Sequence, residues 1–404
     1  MKTIIALLFG IALLSNTALA DWNSISSGTT SNITNIEFIN NQVGYYVAST
    51  GVVGKSTNGG LSWTILTVPT VSNLYGICFP SSSVGYISGG NATTSRMLKT
   101  TDGGNSWAVL NFPVSTILRD VSFINEMTGY AVGGNKTIVK TTDGGSTWII
   151  QMQSGTIAFT KVKAFSALDA ICCNMSGLIY KTTDGGVTWL SKTSPTTENL
   201  SSMDFVNETH GYIVGGNFVL KTINQGEDWE MFPIPGASGL ASVKFLTPST
   251  GFVVGSNGLI MKTTNAGVSW TSEISNTSES ILAIESTSSN LHVAGGNGYY
   301  SQTANPIGIQ NINSEIPKDY KLSQNYPNPF NPLTNIEFSI PSKGNVKLTV
   351  FDIAGKEVGL LVNNVLSPGT YRFDFNANYL SSGTYFYRLV AGDYVETKKM
   401  VLVK

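Results

Sequence analysis

The side chains that could carry out catalysis are few and scattered in this 404-residue chain. Glycoside hydrolysis needs two facing carboxylates within reach of one bond, but Asp102, Asp143 and Asp184 each lie in a repeated turn motif. Of the other carboxylates, Asp120 and Asp204 have no partner at a useful spacing. No nucleophile motif, phosphate-binding loop or metal-ligand cluster is recognisable. We therefore expect no catalytic site, no metal and no cofactor, and a binding module rather than an enzyme.

Three cysteines, Cys78, Cys172 and Cys173, could supply redox or metal chemistry. Neighbouring residues on a strand point to opposite faces, so the adjacent pair is a poor clamp for a metal. Neither His210 nor His292 lies near enough in the sequence to complete a metal site. We interpret the cysteines as buried small apolar residues, and a reactive thiol site is the alternative.

Arginine is rare in residues 21–305, where only Arg96 and Arg119 occur. Three extra residues lengthen the loop that ends at Arg96, and Arg119 lies on the next link between repeats. Both arginines are therefore predicted to share one face on adjacent repeats. Loops on a rigid scaffold commonly carry binding sites. The sequence suggests a ligand patch, with ordinary loop variation as the alternative, made of Arg96, Arg119, Asp120, Phe159 and Lys161.

The elements that must position these residues are indicated by tryptophan. The seven tryptophans recur at steps of 40, 41 or 44 residues. A short box such as Thr-Thr-Asp-Gly-Gly-Ser-Thr-Trp at 141–148 precedes all but the first. A rare residue used only at a fixed period indicates a repeat architecture. The tryptophans are Trp22, Trp63, Trp107, Trp148, Trp189, Trp229 and Trp270.

Each period contains four short segments with strand character, as in residues 121–152, separated by glycine-rich turns. Four antiparallel strands in about 40 residues, repeated, are typical of a β-propeller blade. Seven such sets can be counted, and the seventh lacks its fourth strand. The residues from Asp21 onward match that missing strand. We predict that the N-terminal strand completes blade 7 and closes the ring, which removes exposed edges, and we expect a monomer.

The box residues are predicted to build turns. An Asp or Asn side chain can accept a hydrogen bond from the backbone two residues on, glycine tolerates the left-handed conformation, and the tryptophan supplies an apolar plate. These acceptors are Asn58, Asp102, Asp143, Asp184, Asn224 and Asn265. Lysines that precede the boxes could form a polyanion-binding ring, but we favour stems that lie on apolar surface. These lysines are Lys55, Lys99, Lys140, Lys181, Lys221 and Lys262.

The box is similar to the Asp-box, or bacterial neuraminidase repeat, of sialidases and other propellers. The run Gly-Tyr-x-Val-Gly followed by Lys-Thr-x-Asp-Gly-Gly-x-Thr-Trp resembles the propeller of photosystem II stability and assembly factors over about residues 22–305. The resemblance implies the fold, whereas one fold hosts many functions. A sialidase would hold its acidic sugar with three arginines. Two arginines and no Arg-Ile-Pro motif exclude that activity.

Residues 1–20 are predicted to be a secretory signal peptide, with Lys2 as the charged start, an apolar run from Ile4 to Leu14, and a small-residue cleavage site ending at Ala20. No later stretch approaches the ~20 apolar residues of a transmembrane helix. Residues 21–305 carry 13 Lys and Arg against 17 Asp and Glu. This mildly acidic balance argues against a nucleic-acid partner.

Residues 306–320 are predicted to be a polar linker, and 321–404 a small immunoglobulin-like β-sandwich, because short strands alternate with Gly and Pro turns. This stretch closely resembles the type A C-terminal sorting domain of the type IX secretion system. The resemblance implies passage through the outer membrane, often with removal of the domain and attachment to the cell surface. The secretion machinery would then be a partner. An ordinary immunoglobulin-like tail is the alternative. The sorting motif is Tyr326, Pro327, Asn328, Pro329, Phe330, Asn331 and Pro332.

The sequence thus predicts an all-β protein, with a seven-bladed β-propeller at 21–305 followed by a β-sandwich. We expect an exported, extracellular or surface-attached binding or assembly module with an unknown protein or glycan ligand. The alternative is an extracellular polysaccharide-binding or glycoside-hydrolase-like protein. An assembly factor for a photosynthetic complex is disfavoured, because a sorting domain for the cell surface conflicts with it.

Overall fold

The structure, a computed structural model, describes residues 22–304, 310–313, 315–377 and 380–404. The predicted signal peptide at 1–20 lies outside these residues. Seven four-stranded antiparallel sheets account for residues 23–304, and two more form the C-terminal part. This arrangement confirms the predicted fold class. Among the described residues, no helix is long and apolar enough to span a membrane.

Each blade is a sheet whose strands follow one another in the chain, except that blade 7 takes its fourth strand from the N-terminus. The strands are β1 (Asn23–Ser24); β2–β5 in blade 1 (Ile33–Phe38, Gly44–Ala48, Val53–Ser56, Thr64–Leu66); β6–β9 in blade 2 (Leu74–Cys78, Gly85–Asn91, Thr94–Thr100, Ala108–Val109); β10–β13 in blade 3 (Leu118–Phe123, Gly129–Gly133, Thr137–Thr141, Ile149–Gln153); and β14–β17 in blade 4 (Phe159–Ala164, Ala170–Asn174, Ile179–Thr182, Leu190–Lys192). They continue as β18–β21 in blade 5 (Ser202–Phe205, Gly211–Gly215, Phe218–Thr222, Glu230–Pro233); β22–β25 in blade 6 (Leu240–Phe245, Gly251–Gly255, Ile260–Thr263, Thr271–Glu273); and β26–β28 in blade 7 (Ile281–Ser286, Asn290–Gly295, Tyr300–Ala304). Three short 3-10 turns lie at Ser49–Gly51, Ser256–Gly258 and Gly296–Gly298.

The box turns are held by side-chain hydrogen bonds, as in blade 3. The Thr141 hydroxyl donates to Asp143 Oδ1 at 2.8 Å and accepts the Gly145 N–H at 2.9 Å. Asp143 Oδ1 accepts the Thr147 N–H at 2.9 Å, so the carboxylate reaches four residues on, not two as predicted. Hydrogen bonds, foremost from the Thr147 side chain, lower the pKa of Asp143 to about 2. The Asp side chain is thus committed to the turn in its ionised form.

Several boxes are also fastened to the blade before them. Lys99 Nζ and the Tyr86 hydroxyl both donate to the Gly144 carbonyl of the next blade, at 2.7 Å and 3.0 Å. Lys99 Nζ lies 5.4 Å from the centre of the Tyr86 ring. Lys55 makes the same bond to the Gly103 carbonyl at 2.6 Å. These contacts favour the structural role over a polyanion-binding ring, because the ammonium donors point at the neighbouring blade.

The ring closes through blade 7. In β1, Asn23 pairs with Gln302 and Ser24 with Ser301 of β28. Trp22 is 2% exposed and packs in an apolar cluster that includes Phe252 of blade 6. Because the first and last strands of the propeller share one sheet, no blade is left with three strands among residues 22–304.

The junction between blades 7 and 1 differs chemically from the other junctions. His292 takes the place that Tyr45 has in blade 1, and its ring stacks on Phe38 with 3.9 Å between ring centres. Its Nδ1 lies 2.8 Å from the Tyr300 hydroxyl, whereas its Nε2 is buried without a partner among the described residues. No carboxylate among the described residues forms an ion pair with the ring, so a charged imidazole would be strongly disfavoured here.

Acid is therefore expected to destabilise the propeller through His292. Burial lowers the pKa of His292 from 6.5 to about 3. The unfolded chain binds the proton first, so this contribution to stability is present above about pH 6.5 and is lost progressively as the pH falls towards 3. Between pH 6.5 and 4.5 the loss is about 2 kcal/mol. His292→Phe should remove that part of the pH dependence in urea unfolding at the two pH values.

The control for His292 is His210, which is only half-buried. Other groups, Glu37 among them, also titrate in this window, so the difference in slope between variant and wild type is the quantity to compare. His210→Gln should leave most of the slope in place. An unchanged slope in His292→Phe would contradict the prediction.

The C-terminal part is a sandwich of two four-stranded sheets, in the orders β29-β34-β31-β30 and β33-β32-β35-β36. Its core includes Phe338 and Leu348, one from each sheet. Strand β29 lies inside the segment predicted as a linker, so the sandwich begins earlier in the chain than expected. An edge strand needs only backbone pairing, and its polar composition hid it. The strands are β29 (Gln310–Asn313), β30 (Lys321–Leu322), β31 (Leu333–Ile340), β32 (Gly344–Phe351), β33 (Glu357–Leu366), β34 (Gly369–Asn376), β35 (Gly383–Ala391) and β36 (Tyr394–Leu402).

Candidate functional site

The first strands of all seven blades line one central channel. A cavity of about 200 Å³ takes residues from each of them, beginning with Thr34 of blade 1 and ending with Ala283 of blade 7. The seven lining positions follow the tryptophan period, because the residue twelve places after each tryptophan faces this space. We call these residues the mouth ring: Thr34, Tyr75, Arg119, Thr160, Ser201, Ala241 and Leu282.

A β-bulge aims the mouth ring at the channel. In six blades the register between the first and second strands shifts at this residue, as it does at Arg119 between Leu118 and Asp120. An extra residue in one strand has no partner opposite it, which bends the strand and redirects the side chain. Small members also tie blades together, since the Thr160 hydroxyl donates to the Leu200 carbonyl of the next blade at 2.6 Å. The large members are free to form a surface.

A second cavity of about 570 Å³ adjoins the first and shares Thr34, Tyr75, Asn199, Ser201, Ala241 and Leu282 with it. We call the combined space the mouth basin. Ala241 and Leu282 give it an apolar side, and Glu198 also lines it. Concave sites of this size with a few polar groups suit a ligand segment of several residues.

Positive charge enters the mouth basin from blades 3 and 4. The Arg119 guanidinium lies 5.8 Å from the centre of the Tyr75 ring, and its Nε is buried without an acceptor among the described residues. Lys161 Nζ lies 3.4 Å from Asp120 Oδ1 and its side chain is 23% exposed. A planar guanidinium with unused donors is well suited to a carboxylate ligand.

The predicted patch is only partly brought together. Arg119 and Lys161 line the mouth basin. Arg96 lies on the third strand of blade 2, outside the basin lining, and donates to the Ser95 carbonyl at 2.9 Å. Phe159 is 0% exposed and packs between blades, so it presents no surface to a ligand.

Asp120 also has a structural role. It is buried, and its Oδ2 accepts the Val162 N–H of blade 4 at 3.0 Å. Burial raises the pKa of Asp120, and Lys161 opposes that shift. The sequence had suggested a link between blades for Arg119, but Arg119, Phe159 and Lys161 all lie within first strands. Arg119 and Lys161 therefore reach the basin from strands that contain a bulge, and not from loops between blades.

Sequence reasoning missed Tyr75, Leu282 and every other member of the mouth ring except Arg119. The signal was present, since the residue twelve places after each tryptophan forms one column when the repeats are aligned. That column contains mostly small residues, with Tyr75, Arg119 and Leu282 as the large exceptions. Repeat-to-repeat variation at one inward position marks a site better than loop length does.

A second column, fifteen residues after each tryptophan, lies beside the channel and connects blades. Glu37 Oε1 accepts the Phe79 N–H at 3.0 Å, and Asp204 Oδ2 accepts the Phe245 N–H at 2.7 Å. Each bond joins a blade to the one after it. The full column is Glu37, Cys78, Ser122, Lys163, Asp204, Lys244 and Glu285.

The charged members of this column form contacts with one another or with neighbouring blades. Lys244 Nζ lies 2.9 Å from Glu285 Oε1 and 3.7 Å from Asp204 Oδ1. Glu37 Oε2 is buried without a hydrogen-bond partner among the described residues. Burial raises the pKa of Glu37 to about 8, and the nearby Glu285 carboxylate adds to the shift. Glu37 and Glu285 lie on neighbouring blades, but neither offers a free, solvated carboxylate to a substrate.

The cysteines are free thiols with structural surroundings. Cys172 and Cys173 are both 0% exposed and pack in different inter-blade clusters, Cys172 towards blade 3 and Cys173 towards blade 5. Cys78 Sγ accepts the Phe123 N–H at 3.4 Å. Burial raises the pKa of the Cys173 thiol to about 12, and a thiol is a poor nucleophile in that state. In the described part of the chain, no group of three or more His, Cys, Asp or Glu side chains could hold a metal ion.

Comparison with known proteins agrees with this architecture. Residues 105–194 and 188–305 match the family model described as photosynthesis system II assembly factor YCF48. Residues 324–404 match the model described as a secretion system C-terminal sorting domain. No curated protein is similar enough to the chain to count as a match.

Solved propellers resemble the chain in fold at low sequence identity. A structure described as YCF48 bound to D1 peptide has a TM-score of 0.60 and 19% identity, covering 72% of this chain and 100% of its own. YCF48 from Cyanidioschyzon merolae has a TM-score of 0.60 and 17% identity, covering 70% of this chain and 99% of its own. The WD40 propeller domain of Doa1 has a TM-score of 0.59 and 12% identity, covering 70% of this chain and 97% of its own.

These matches and the nine observed sheets agree that the chain contains two different units. The chain is a β-propeller similar to the photosystem II assembly factor YCF48, followed by a C-terminal sorting domain of a secretion system.

Proposed function

We propose that the chain is an exported β-propeller that binds an extended polypeptide segment in the mouth basin and acts as a non-enzymatic binding module. The observation that carries this proposal is the basin itself. It combines the Arg119 guanidinium, whose Nε has no acceptor among the described residues, with an apolar side at Ala241 and Leu282. The sorting domain at 324–404 supports delivery outside the cell.

The charge distribution favours a polypeptide with an acidic group. Arg119 and Lys161 supply positive charge on one side of the basin, and Glu198 supplies negative charge at the rim. A peptide can present a carboxylate to Arg119 and an apolar side chain to Leu282 at the same time. Rim charges then select orientation and partner more than they add affinity.

The fold comparison is consistent with this type of ligand. One similar propeller is described as bound to a peptide, although the 19% identity supports a shared fold only. For this chain, the basin residues support a peptide ligand, and the bound peptide of the other protein does not. The proposal places the exported protein outside the cell, either attached to the cell surface or released.

A polysaccharide ligand is the competing class. Sugar sites commonly use exposed aromatic rings as stacking platforms, and the one large aromatic side chain that is strongly exposed in the described residues is Tyr326, in the sorting domain. The basin offers the half-buried Tyr75 alone. A glycan array and a broad glycosidase screen on the full mature chain would detect this alternative, and turnover of any glycoside would overturn the proposal.

Arg119→Ala is expected to weaken peptide binding about tenfold or more, because a charge-assisted hydrogen bond to a carboxylate contributes about 1.5–3 kcal/mol. The measurement is binding of the full mature chain to an array of short synthetic peptides that differ in charge and apolar content. Acidic peptides with a neighbouring apolar residue should bind the wild type best.

The matched control is Arg96→Ala. It removes the other arginine of the propeller, which lies outside the basin lining and donates to a local carbonyl. Binding should be unchanged in that variant. Equal losses in both variants would indicate a general charge effect, and no loss in Arg119→Ala would place the ligand elsewhere.

A further inference from the structure

The segment from Ser323 to Thr334 in the sorting domain is a loop closed from the inside by buried polar groups. Asn325 is 2% exposed, and its backbone N–H donates to the Tyr387 hydroxyl at 2.7 Å. Its side-chain amide donates to Thr334 Oγ1 at 2.9 Å and to the Pro327 carbonyl at 3.1 Å. The Thr334 hydroxyl donates to the same carbonyl at 2.8 Å. Buried, satisfied polar networks of this kind hold one conformation.

The same loop is fastened to the end of β36. The Phe330 N–H donates to the Val401 carbonyl and the Val403 N–H to the Phe330 carbonyl, both at 2.9 Å. Asn328 Oδ1 accepts the Val401 N–H at 2.9 Å. The Phe330 ring is 2% exposed and lies in the core of the sandwich. Asn325, Asn328, Phe330 and Thr334 therefore explain how the motif folds.

These contacts leave Tyr326 unexplained. Its side chain is 78% exposed, and its hydroxyl makes no hydrogen bond with the described residues. Tyr326 pairs with Asn335 through the backbone alone, at 2.9 Å and 3.0 Å. A large aromatic side chain held in water by a rigid loop gives nothing to folding, since it buries little surface. Tyrosine on a preorganised support is typical of protein interfaces.

Other apolar side chains are exposed in the same loop or next to residues bonded to it. Leu333, two residues before its pairing partner Asn335, is 57% exposed, and Val403, which is bonded to Phe330, is 50% exposed. Pro327 and Pro329 are exposed as well. Apolar groups gathered on one rigid element mark an interaction site more reliably than scattered ones do.

The net charge of the sorting domain indicates which kind of partner would bind it. Residues 321–404 contain nine Lys and Arg against six Asp and Glu, the reverse of the acidic balance in the propeller. Lys399 lies beside the loop, because Gln324 Nε2 donates to its carbonyl at 2.8 Å. A partner that fits would offer an apolar pocket for the tyrosine ring and an acidic rim.

We propose that Tyr326, Pro327, Pro329, Leu333 and Val403 form the surface by which a receptor protein of the export machinery holds this domain. The occupant follows from the match of residues 324–404 to a sorting domain, whose purpose requires recognition by another protein. The loop is already rigid before contact, so binding costs little conformational entropy. Recognition and folding are thus divided between neighbouring residues of one motif, with Tyr326 outside and Phe330 inside.

The test measures export of the full chain from a bacterium that has this secretion system. Tyr326→Ala should reduce the fraction found outside the cell about tenfold or more, since removing a central aromatic anchor commonly costs that much in affinity. Leu333→Ala should reduce export in the same direction. The matched control is Val395→Ala. Val395 is a 58% exposed apolar residue near the start of β36, whereas Val403 follows the end of that strand.

Folding is monitored by thermal unfolding of the purified chains, with Phe330→Ala as the variant that should disrupt the core. The proposal is supported if Tyr326→Ala and Leu333→Ala unfold like the wild type, fail in export, and Val395→Ala is exported normally. Normal export of Tyr326→Ala would overturn it, and so would equal losses in Val395→Ala. If Tyr326→Ala proved unstable, Leu333→Ala alone would decide between these outcomes. Export is read without any propeller ligand, so the result does not depend on the function proposed for the mouth basin.

Discussion

Trp22→Ala is expected to lower the free energy of unfolding by about 3–5 kcal/mol, the cost of truncating a buried tryptophan. Trp22 is 2% exposed and packs against Phe252, Ile260 and Leu291. It also anchors β1, which has only two paired residues. Removing the ring should therefore weaken both the core between blades 6 and 7 and the closure of the propeller. Urea unfolding measures the first effect.

Hydrogen exchange separates the two effects, with Trp148→Ala as the matched control. Trp148 is 6% exposed and occupies the same position in blade 3, where all four strands are continuous in sequence. Both variants should lose similar global stability. Faster exchange confined to Tyr300–Ala304 is expected in Trp22→Ala only, because the strand that covers β28 is released. Equal local exchange in both variants would show that the N-terminal strand does not close the ring.

Glu37→Gln is expected to stabilise the protein at pH 8 by about 4 kcal/mol and to have little effect at pH 4.5. Burial raises the pKa of Glu37 from 4.5 to about 8, with Glu285 adding to the shift and Lys244 and Lys163 opposing it. The folded state binds the proton more tightly than the unfolded chain. This contribution is present below about pH 4.5 and is lost as the pH rises towards 8. Gln keeps the acceptor for the Phe79 N–H without a charge.

Chemical denaturation at pH 4.5, 6 and 8 tests this expectation, and Glu285→Gln is the control. Glu285 is the 2.9 Å partner of Lys244, so its neutralisation should destabilise the protein at neutral pH by leaving a buried ammonium with one weaker partner. The two substitutions are chemically identical and lie on adjacent blades of one column. Opposite signs at pH 8 are required, and a destabilised Glu37→Gln would mean that Glu37 is ionised in the folded state.

Glu37 and His292 change the stability in opposite directions between about pH 4.5 and 6.5. His292 removes stability as the pH falls below about 6.5, and Glu37 removes stability as the pH rises above about 4.5. His292 lies at the junction of blades 7 and 1, where other residues occupy the Tyr and Lys positions that fasten Gly103 and Gly144 at the next two junctions. His292 and Gln302 occupy those positions. This junction is the chemically distinct joint of the ring.

Blade number and closure were predictable because they depend on local chemistry. A box such as 141–148 closes a turn within its own few residues, and Trp148 marks the strand that follows. Trp22 without a preceding box indicated a displaced strand, which the pairing of Asn23 with Gln302 now accounts for. Patterns of this kind survive in one dimension because each repeat presents the same local problem to the chain.

The ligand patch was harder to predict because it depends on the direction in which each side chain points. Arg119 lies twelve residues after its tryptophan and Phe159 eleven, both in first strands, yet Phe159 is buried and Arg119 lines the mouth basin. The difference is one residue of register at a bulge, and a shift of one residue turns a side chain to the other face. Arg96 stayed outside because it lies on the third strand, away from the channel.

The amino-acid order alone was enough for the repeat, the number of blades, the displaced N-terminal strand and the sorting motif. Each of these depends on short-range turns and on a period that a reader can count. Tertiary structure decided which side chains of seven separate first strands meet in the mouth basin, that Glu37 and Glu285 become neighbours, and that Tyr326 points outward while Phe330 points inward. Those outcomes follow from long-range packing around a closed ring and within a sandwich, where burial and register act between residues far apart in the chain.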